Sequence, residues 1–253
     1  MNWIIPMAGK GTRTSELGMF KPFIRVNGFT ILEWLLLSLS VYIDEESRFV
    51  FVTTKAFQEE FSVREKICNS LQRCGLYAHF DVVEVDQTPQ GPAKSVYLGA
   101  QMLKGQAGPV TIVNVDQYIH FELGPNSGQD SGFLPVYAEF SNKASYVEVR
   151  EKKILRVVEK NNISNIASAG VYGVSSVDLL IYMLDALFRS EETVNGEYYV
   201  GPAYNFLIKD GISIYPTSVL AKFDLGNLSG ISLFKRRLMF NSNLLTTPVY
   251  SVF

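Results

Sequence analysis

The residues with the clearest chemical potential stand just behind the first apolar run of the chain. Met7-Ala8-Gly9-Lys10-Gly11-Thr12-Arg13 is followed by Lys21-Pro22. Gly9 and Gly11 carry no Cβ, so backbone N–H groups in such a turn can come close to phosphate oxygens. Lys10, Arg13 and Lys21 bring three cations to the same stretch. In charge and in shape this is a polyphosphate site. A plain glycine turn with scattered surface cations is the alternative; the turn's place directly after a strand, where ligands bind in α/β sheets, weighs against it. Two familiar phosphate motifs are excluded. The dinucleotide fingerprint G-x-G-x-x-G fails because Thr14 stands at the third glycine. Thr53-Thr54-Lys55 offers no acid for a ribose hydroxyl either. The pattern G-x-x-x-x-G-K-[ST] occurs nowhere.

Two carboxylates complement the cations. Asp116 closes the apolar run Val110-Thr111-Ile112-Val113-Asn114-Val115, and Asp224 stands in Phe223-Asp224-Leu225-Gly226. A carboxylate beside a polyphosphate needs a cation between them. Mg²⁺ suits that place, because it takes one or two carboxylates together with phosphate oxygens and water. A helix N-cap or a structural ion pair would account for either aspartate taken singly. Gln87 and Gly91 lie in the turn Asp86-Gln87-Thr88-Pro89-Gln90-Gly91. Gln87 offers a donor and an acceptor to a base edge, and Gly91 leaves room for a flat ring. An ordinary strand–helix turn has the same composition. Cys68 and Cys74 are the only cysteines, and His79 and His120 the only histidines. A disulfide framework or a Cys/His zinc site is therefore not expected, and a reducing, cytoplasmic compartment is.

Elements must bring these groups to one edge. Strands are predicted over 3–6, 49–53, 80–85 and 110–115, with helices over 31–42, 56–74 and 93–103. That alternation implies a parallel, doubly wound sheet with right-handed crossovers. The second half changes character. It reads as strands over 133–140, 145–149, 154–158 and 167–174, with a hairpin turn at Glu151-Lys152-Lys153. Helices over 177–188 and 198–208, short strands over 212–215 and 222–224, and a closing helix over 228–240 complete it. The expected fold class is α/β, a mixed and mostly parallel central sheet flanked by helices. One domain is expected over 1–253, with a nucleotide half over 1–120, an acceptor half over 133–240, and a loop near 124–132 between them. The apolar tail 244–253 is expected to pack on the body or on a second subunit.

Composition removes other classes. Apolar residues make up 47%, too many for a disordered chain. The formal net charge of −2 lacks the basic footprint of a nucleic-acid binder. The longest apolar block, 31–37, contains Glu33 and is too short to span a bilayer, and no leader-like segment precedes the first strand.

Taken in order, these motifs resemble the nucleotidyltransferases that activate sugar 1-phosphates. Ile5-Pro6-Met7-Ala8-Gly9-Lys10-Gly11-Thr12-Arg13 with Lys21-Pro22 looks like their opening signature. Gln87 with Gly91 is similar to their base-binding turn, and 114–117 to their metal-binding strand end. Glu159-Lys160 resembles their Glu-Lys pair, whose lysine holds the acceptor's phosphate. Ala169-Gly170-Val171-Tyr172 and Gly196-Glu197-Tyr198-Tyr199 resemble acceptor-site elements, and Asp224-Leu225-Gly226 the second metal aspartate. The likeness spans most of the chain and is nearest to a branch from capsule and surface-polysaccharide clusters. It implies a Rossmann-like nucleotidyltransferase fold. It also implies a nucleoside triphosphate and a phosphorylated small-molecule acceptor as partners, with Mg²⁺ held by Asp116 and Asp224. Ala8, Gly9, Gly11, Thr12, Gln87 and Gly91 would bind nucleotide. Arg13, Lys21 and Lys160 would be catalytic, and Glu159, Gly170 and Glu197 would face the acceptor. Phe20 stands where the family has the first proline of Pro-Lys-Pro, and Asn227 where it has threonine. Two rivals are a glycosyltransferase of the same general fold and a non-catalytic nucleotide-sensing module. The first normally carries Asp-x-Asp, and only one acid stands in Asn114-Val115-Asp116. The second has no need of an acceptor-phosphate lysine.

Overall fold

A computed structural model describes residues 1–9, 20–125 and 130–240. The expectations for Lys10, Gly11, Thr12, Arg13 and the tail 244–253 lie outside the described residues. In chain order the first half comprises β1 (Asn2–Pro6), β2 (Arg25–Val26), β3 (Phe29–Thr30), α1 (Ile31–Leu39), β4 (Arg48–Thr54), α2 (Lys55–Phe61), α3 (Val63–Arg73), β5 (His79–Val85), α4 (Pro92–Met102) and β6 (Val110–Val113). There follow β7 (Gln117–Phe121), β8 (Ser131–Ala138), β9 (Ser145–Arg150), β10 (Lys153–Glu159), β11 (Ile166–Ser168), β12 (Val171–Val174), α5 (Val177–Ser190), α6 (Val200–Lys209), β13 (Ser213–Asp224) and α7 (Leu228–Phe240).

The central strands β6-β1-β4-β5 are mutually parallel. Successive residues of β1 and β4 point to opposite faces. Trp3, Ile5, Phe49 and Phe51 pack with α1 and α3, while Ile4, Val50 and Val52 pack with α4, α5 and α6. Burial on both faces is why these strands read as unbroken apolar runs. Beyond β6 the sheet turns antiparallel through β12, β8, β11, β9 and β10. The result is the expected α/β class, a mixed sheet flanked by helices. Among the described residues no helix is long and apolar enough to cross a membrane.

Several boundaries differ from the sequence expectation, each for a local reason. The helix expected over 56–74 is two helices. Ser62 adopts the left-handed conformation (φ 50°) and donates its N–H to Gln58 O, closing α2 before α3 begins. The helix expected over 31–42 ends in a 3₁₀ turn, Ser40–Tyr42, with Ser38 and Ser40 hydroxyls bonded back to Leu35 and Leu37 carbonyls. The strand expected over 110–115 stops at Val113, and a new strand, β7, starts at Gln117. The run 167–174 is broken at Gly170, which has φ 76°. The two short strands expected after 212 are one twelve-residue strand. β13 pairs parallel with β8 over 213–218, shifts register between Val219 and Ala221, then pairs antiparallel with β7. Ser131 and Gly132, expected in a loop, open β8. Glu151 and Lys152 form the expected hairpin turn, both at positive φ.

Candidate active site

Parallel strands send their following segments to one edge. Ala8-Gly9 leaves β1, Asn114-Val115-Asp116 leaves β6, and the turn holding Gln87 leaves β5. Ala8 is buried and Gly9 exposed, with nothing within 4 Å of where a Cβ would lie on Gly9. Gln87 is exposed. Gly91, at φ 94°, has no space for a side chain: a Cβ there would lie 2.5 Å from Tyr198 O and 2.6 Å from Tyr198 N. The Cβ side of Gly91 is filled by the Tyr198 backbone. Tyr198 N donates to Gln90 O at 3.1 Å, Ala93 N donates to Tyr198 O at 3.0 Å, and Gln90 Nε2 donates to Gly196 O at 2.9 Å. These bonds join the Gln87 turn to the segment carrying Glu197.

Lys21, Asp116 and Asp224 converge. Lys21 Nζ lies 2.5 Å from Asp116 Oδ2. A Cβ built on Gly226 would sit 2.5 Å from Asp116 Oδ2, 2.8 Å from Asp224 Oδ1 and 3.0 Å from Lys21 Nζ, so all three charged groups border one small volume. Their convergence is built by pairing. Asp224 ends β13 opposite Gln117, the residue after Asp116, and Leu225 N donates to Asp116 O at 2.8 Å. Gly226 N donates to Asp224 Oδ1 at 2.7 Å. Asn227 does two jobs: Nδ2 donates to Asp224 Oδ2 at 2.6 Å, while Oδ1 accepts Gly230 N at 2.9 Å and caps α7. A threonine hydroxyl has one hydrogen to give, so the amide is a coherent replacement. Lys21 lies in the 3₁₀ turn Lys21–Phe23, behind Phe20, which packs on Phe57 at 4.5 Å and on Phe61 at 5.6 Å. The aromatic residue thus anchors the lysine from the core.

Among the described residues no three His, Cys, Asp or Glu side chains gather into a metal cage. Two carboxylate oxygens bordering one volume are hard donors, and they leave most of a coordination sphere to phosphate and water. That donor set fits Mg²⁺.

The acceptor-side candidates form a second group. Glu159 ends β10 and is buried; Ser145 donates its hydroxyl to Glu159 Oε2, and Tyr172 lies 3.5 Å from Ser145 Oγ. Burial holds the Glu159 carboxyl above the usual glutamate range, against the pull of Ser145 and Lys160. Lys160, at φ 54°, donates to Tyr199 Oη, which donates to Glu197 Oε2. Lys160 Nζ also stands 4.4 Å from the centre of the Tyr199 ring. Gly170 is bonded to the residues that flank Asp116. Its carbonyl accepts Asn114 N at 2.9 Å and Gln117 Nε2 at 3.2 Å, and a Cβ there would lie 2.7 Å from Asn114 Nδ2.

Three residues of this cleft were not singled out in the sequence. Tyr199, the last residue of a quoted motif though given no role there, bridges Lys160 and Glu197. Lys222 and Tyr137 sit beside the aspartates, with Lys222 Nζ 5.4 Å from the Tyr137 ring centre. Burial draws the Lys222 ammonium below the usual lysine range, opposed by Asp224, Asp116 and Glu139. Tyr137 donates to Glu139 Oε2 at 2.7 Å. Burial would raise Glu139, but hydrogen bonds from Ser141 N, Tyr137 and Phe140 N hold it below the usual glutamate range. Counting two residues back from Asp224 along a strand is the signal that finds Lys222.

Comparison with known proteins places the fold. No family model matches the chain, and no curated protein matches it. Solved structures do. A nucleoside-diphosphate-sugar pyrophosphorylase from Vibrio cholerae RC9 is 25% identical, with 92% of this chain and 99% of that chain aligned at a TM-score of 0.80. The inositol-1-phosphate CTP transferase from T. maritima aligns over 96% and 93% at 18% identity and a TM-score of 0.70. A UDP-glucose pyrophosphorylase complexed with UDP-glucose aligns over 94% and 98% at 16% identity and a TM-score of 0.71. The structural neighbours are nucleotidyltransferases at low sequence identity, and this chain has their Rossmann-like α/β fold.

Proposed function

We propose that this chain is a nucleotidyltransferase. An oxygen of a phosphorylated small-molecule acceptor attacks the α-phosphorus of a nucleoside triphosphate. A new P–O bond forms, the bond from the α-phosphorus to the β-phosphate bridging oxygen breaks, and pyrophosphate leaves. The observation that carries this reading is the convergence of Asp116, Asp224 and Lys21 on one volume at the sheet edge. The named activities of the structural neighbours support it.

A phosphate monoester has a second pKa of about 6 and is already largely anionic near neutrality. It needs no general base, so the barrier is repulsion between two anions that must meet in line. Positioning and charge neutralisation are the catalytic terms. Lys21 faces the α-phosphate and the incoming phosphate. Lys160, held by Tyr199, anchors the acceptor phosphate, and Glu159, Gly170 and Glu197 shape its pocket. Ala8, Gly9, Gly11 and Thr12 wrap the triphosphate, Arg13 steadies the departing pyrophosphate, and the turn fixed by Gly91 presents Gln87 to the base. Asp116 and Asp224 would hold Mg²⁺, which neutralises phosphate charge when bound.

The finer reading is CTP as the nucleotide and phosphoglutamine as the acceptor, in the cytoplasm, for modification of a capsule or surface polysaccharide. It rests on the sequence resemblance to the CTP:phosphoglutamine cytidylyltransferase of capsule clusters, and the CTP transferase among the neighbours agrees with the choice of base. A sugar 1-phosphate is the second reading, favoured by the two pyrophosphorylases. A coupled pyrophosphate assay crossing four nucleoside triphosphates with phosphoglutamine, phosphocholine and sugar 1-phosphates tests both. Pyrophosphate should appear only when triphosphate and acceptor are both present, and fastest with CTP and phosphoglutamine. Release without an acceptor, or no release with any pair, would overturn nucleotidyl transfer.

A further inference from the structure

Lys222 is a charged group near the aspartates that the mechanism above leaves without work. β13 runs in regular register with β7 from Ala221 to Asp224, so side chains alternate strictly over these residues. Phe223 turns into the apolar cluster beneath α7, against Tyr118 and Phe234. Lys222 and Asp224 therefore share the opposite face, the one that reaches the aspartate corner. Two residues of strand set their Cα atoms about 7 Å apart. The Lys222 ammonium stands over the ring of Tyr137, a β8 residue. Among the described residues it makes no ion pair. Glu139, a nearby acid, is already engaged by Tyr137 Oη and by the N–H groups of Phe140 and Ser141.

Asp224, Asp116 and Glu139 act on this partly buried ammonium only from beyond ion-pair distance, so two residues along the strand from Asp224 it is placed for an anion belonging to the substrate. The acceptor's phosphate already has Lys21 and Lys160. We propose that Lys222 is a specificity-determining residue that binds a second anionic group, a carboxylate several bonds from the phosphorus, on the acceptor. This rests on the nucleotidyl-transfer reading and narrows its acceptor to phosphorylated compounds that also carry a carboxylate. A purely structural Lys222, offsetting Asp224 and Glu139, would affect all acceptors alike.

Matched acceptors separate the two roles. Glucuronic acid 1-phosphate is compared with glucose 1-phosphate, and O-phosphoserine with phosphoethanolamine, by pyrophosphate release with CTP. The wild-type chain should show a kcat/KM at least about tenfold higher for the carboxylate member of a pair, the value of one charge-assisted hydrogen bond. Lys222→Met should collapse that ratio towards one, chiefly through acceptor KM, and Lys222→Arg should restore most of it. A wild-type ratio of one or below, or a ratio unmoved by Lys222→Met, overturns the inference while leaving nucleotidyl transfer standing. The wild-type ratio decides the matter even if Lys222→Met does not fold. No pyrophosphate from any triphosphate–acceptor pair overturns the reading beneath it, and the inference falls with it.

Discussion

Lys21 meets Asp116 directly, across 2.5 Å, whereas Lys160 meets Glu197 only through the hydroxyl of Tyr199. The first pair lies on loops at the ends of parallel strands, and its side chains are 19% and 33% exposed. The contact is part-buried and joins the two charges directly, with no bridging side chain. In the proposed reaction phosphate would take the lysine and a metal ion the carboxylate. In the second group Ser145 on β9 and Tyr199 just ahead of α6 bond Glu159, Lys160 and the exposed Glu197 through their hydroxyls. One region pairs its charges directly and the other links them through hydroxyls.

The contrast can be broken most severely at Gly226. Gly226→Ala puts a methyl group 2.5 Å from Asp116 Oδ2 and 2.8 Å from Asp224 Oδ1. Turnover should fall by a factor on the order of 10² or more, as expected for misplacement near 1 Å. Steady-state kinetics with a thermal melt checks it; wild-type kcat would mean that the corner is not where chemistry happens. Next come the two lysines. Lys21→Ala should lower kcat by about 10², by analogy with loss of one transition-state donor. Lys160→Ala should chiefly raise acceptor KM, by roughly tenfold, with nucleotide binding unaffected. Interchanged effects would reverse the assignment of the two regions.

The smallest effect concerns stability and pH. Burial raises Glu159, so the folded state holds its proton more tightly than the unfolded chain does. Its contribution to stability is complete below the ordinary glutamate pKa and is lost as pH rises through the higher folded value. Glu159→Gln should then melt above the wild type at neutral pH, with the difference closing in acid. Glu139 has the opposite sign: its stabilisation is present above the ordinary glutamate value and is lost as pH falls through the lower folded value. Melting temperatures across pH for each Glu→Gln variant read both trends.

How much could be read from the sequence follows the same division. The parallel half was legible because its strands are buried on both faces, and runs such as Phe49-Val50-Phe51-Val52 announce that directly. The antiparallel half was legible in outline but not in joints. Nothing in Ile212 to Asp224 says that one strand changes partner at a bulge after Val219, because register change is decided by β7 and β8 together. β7 itself was hidden because no Gly or Pro separates it from β6; the chain turns there because Asn114 bonds to Gly170. The aspartates were legible as strand-end acids. Their meeting was implied by the family resemblance and not by either strand alone, since it depends on a pairing across about a hundred residues. Gly91 was noticed for the right reason, a missing Cβ, but its space serves the Tyr198 backbone. Lys222 was passed over because a lysine in a strand looks like a solvent-facing residue until its face is known.

If Asp116 and Asp224 act together, they bring a divalent cation and a triphosphate to the same sheet edge. Calorimetric titration of CTP into the protein, with and without Mg²⁺, tests it most directly. Wild-type affinity should rise at least tenfold with the metal, and the Asp116→Asn, Asp224→Asn double variant should lose that dependence while melting as a folded protein. A metal dependence that survives in the folded double variant would contradict the account.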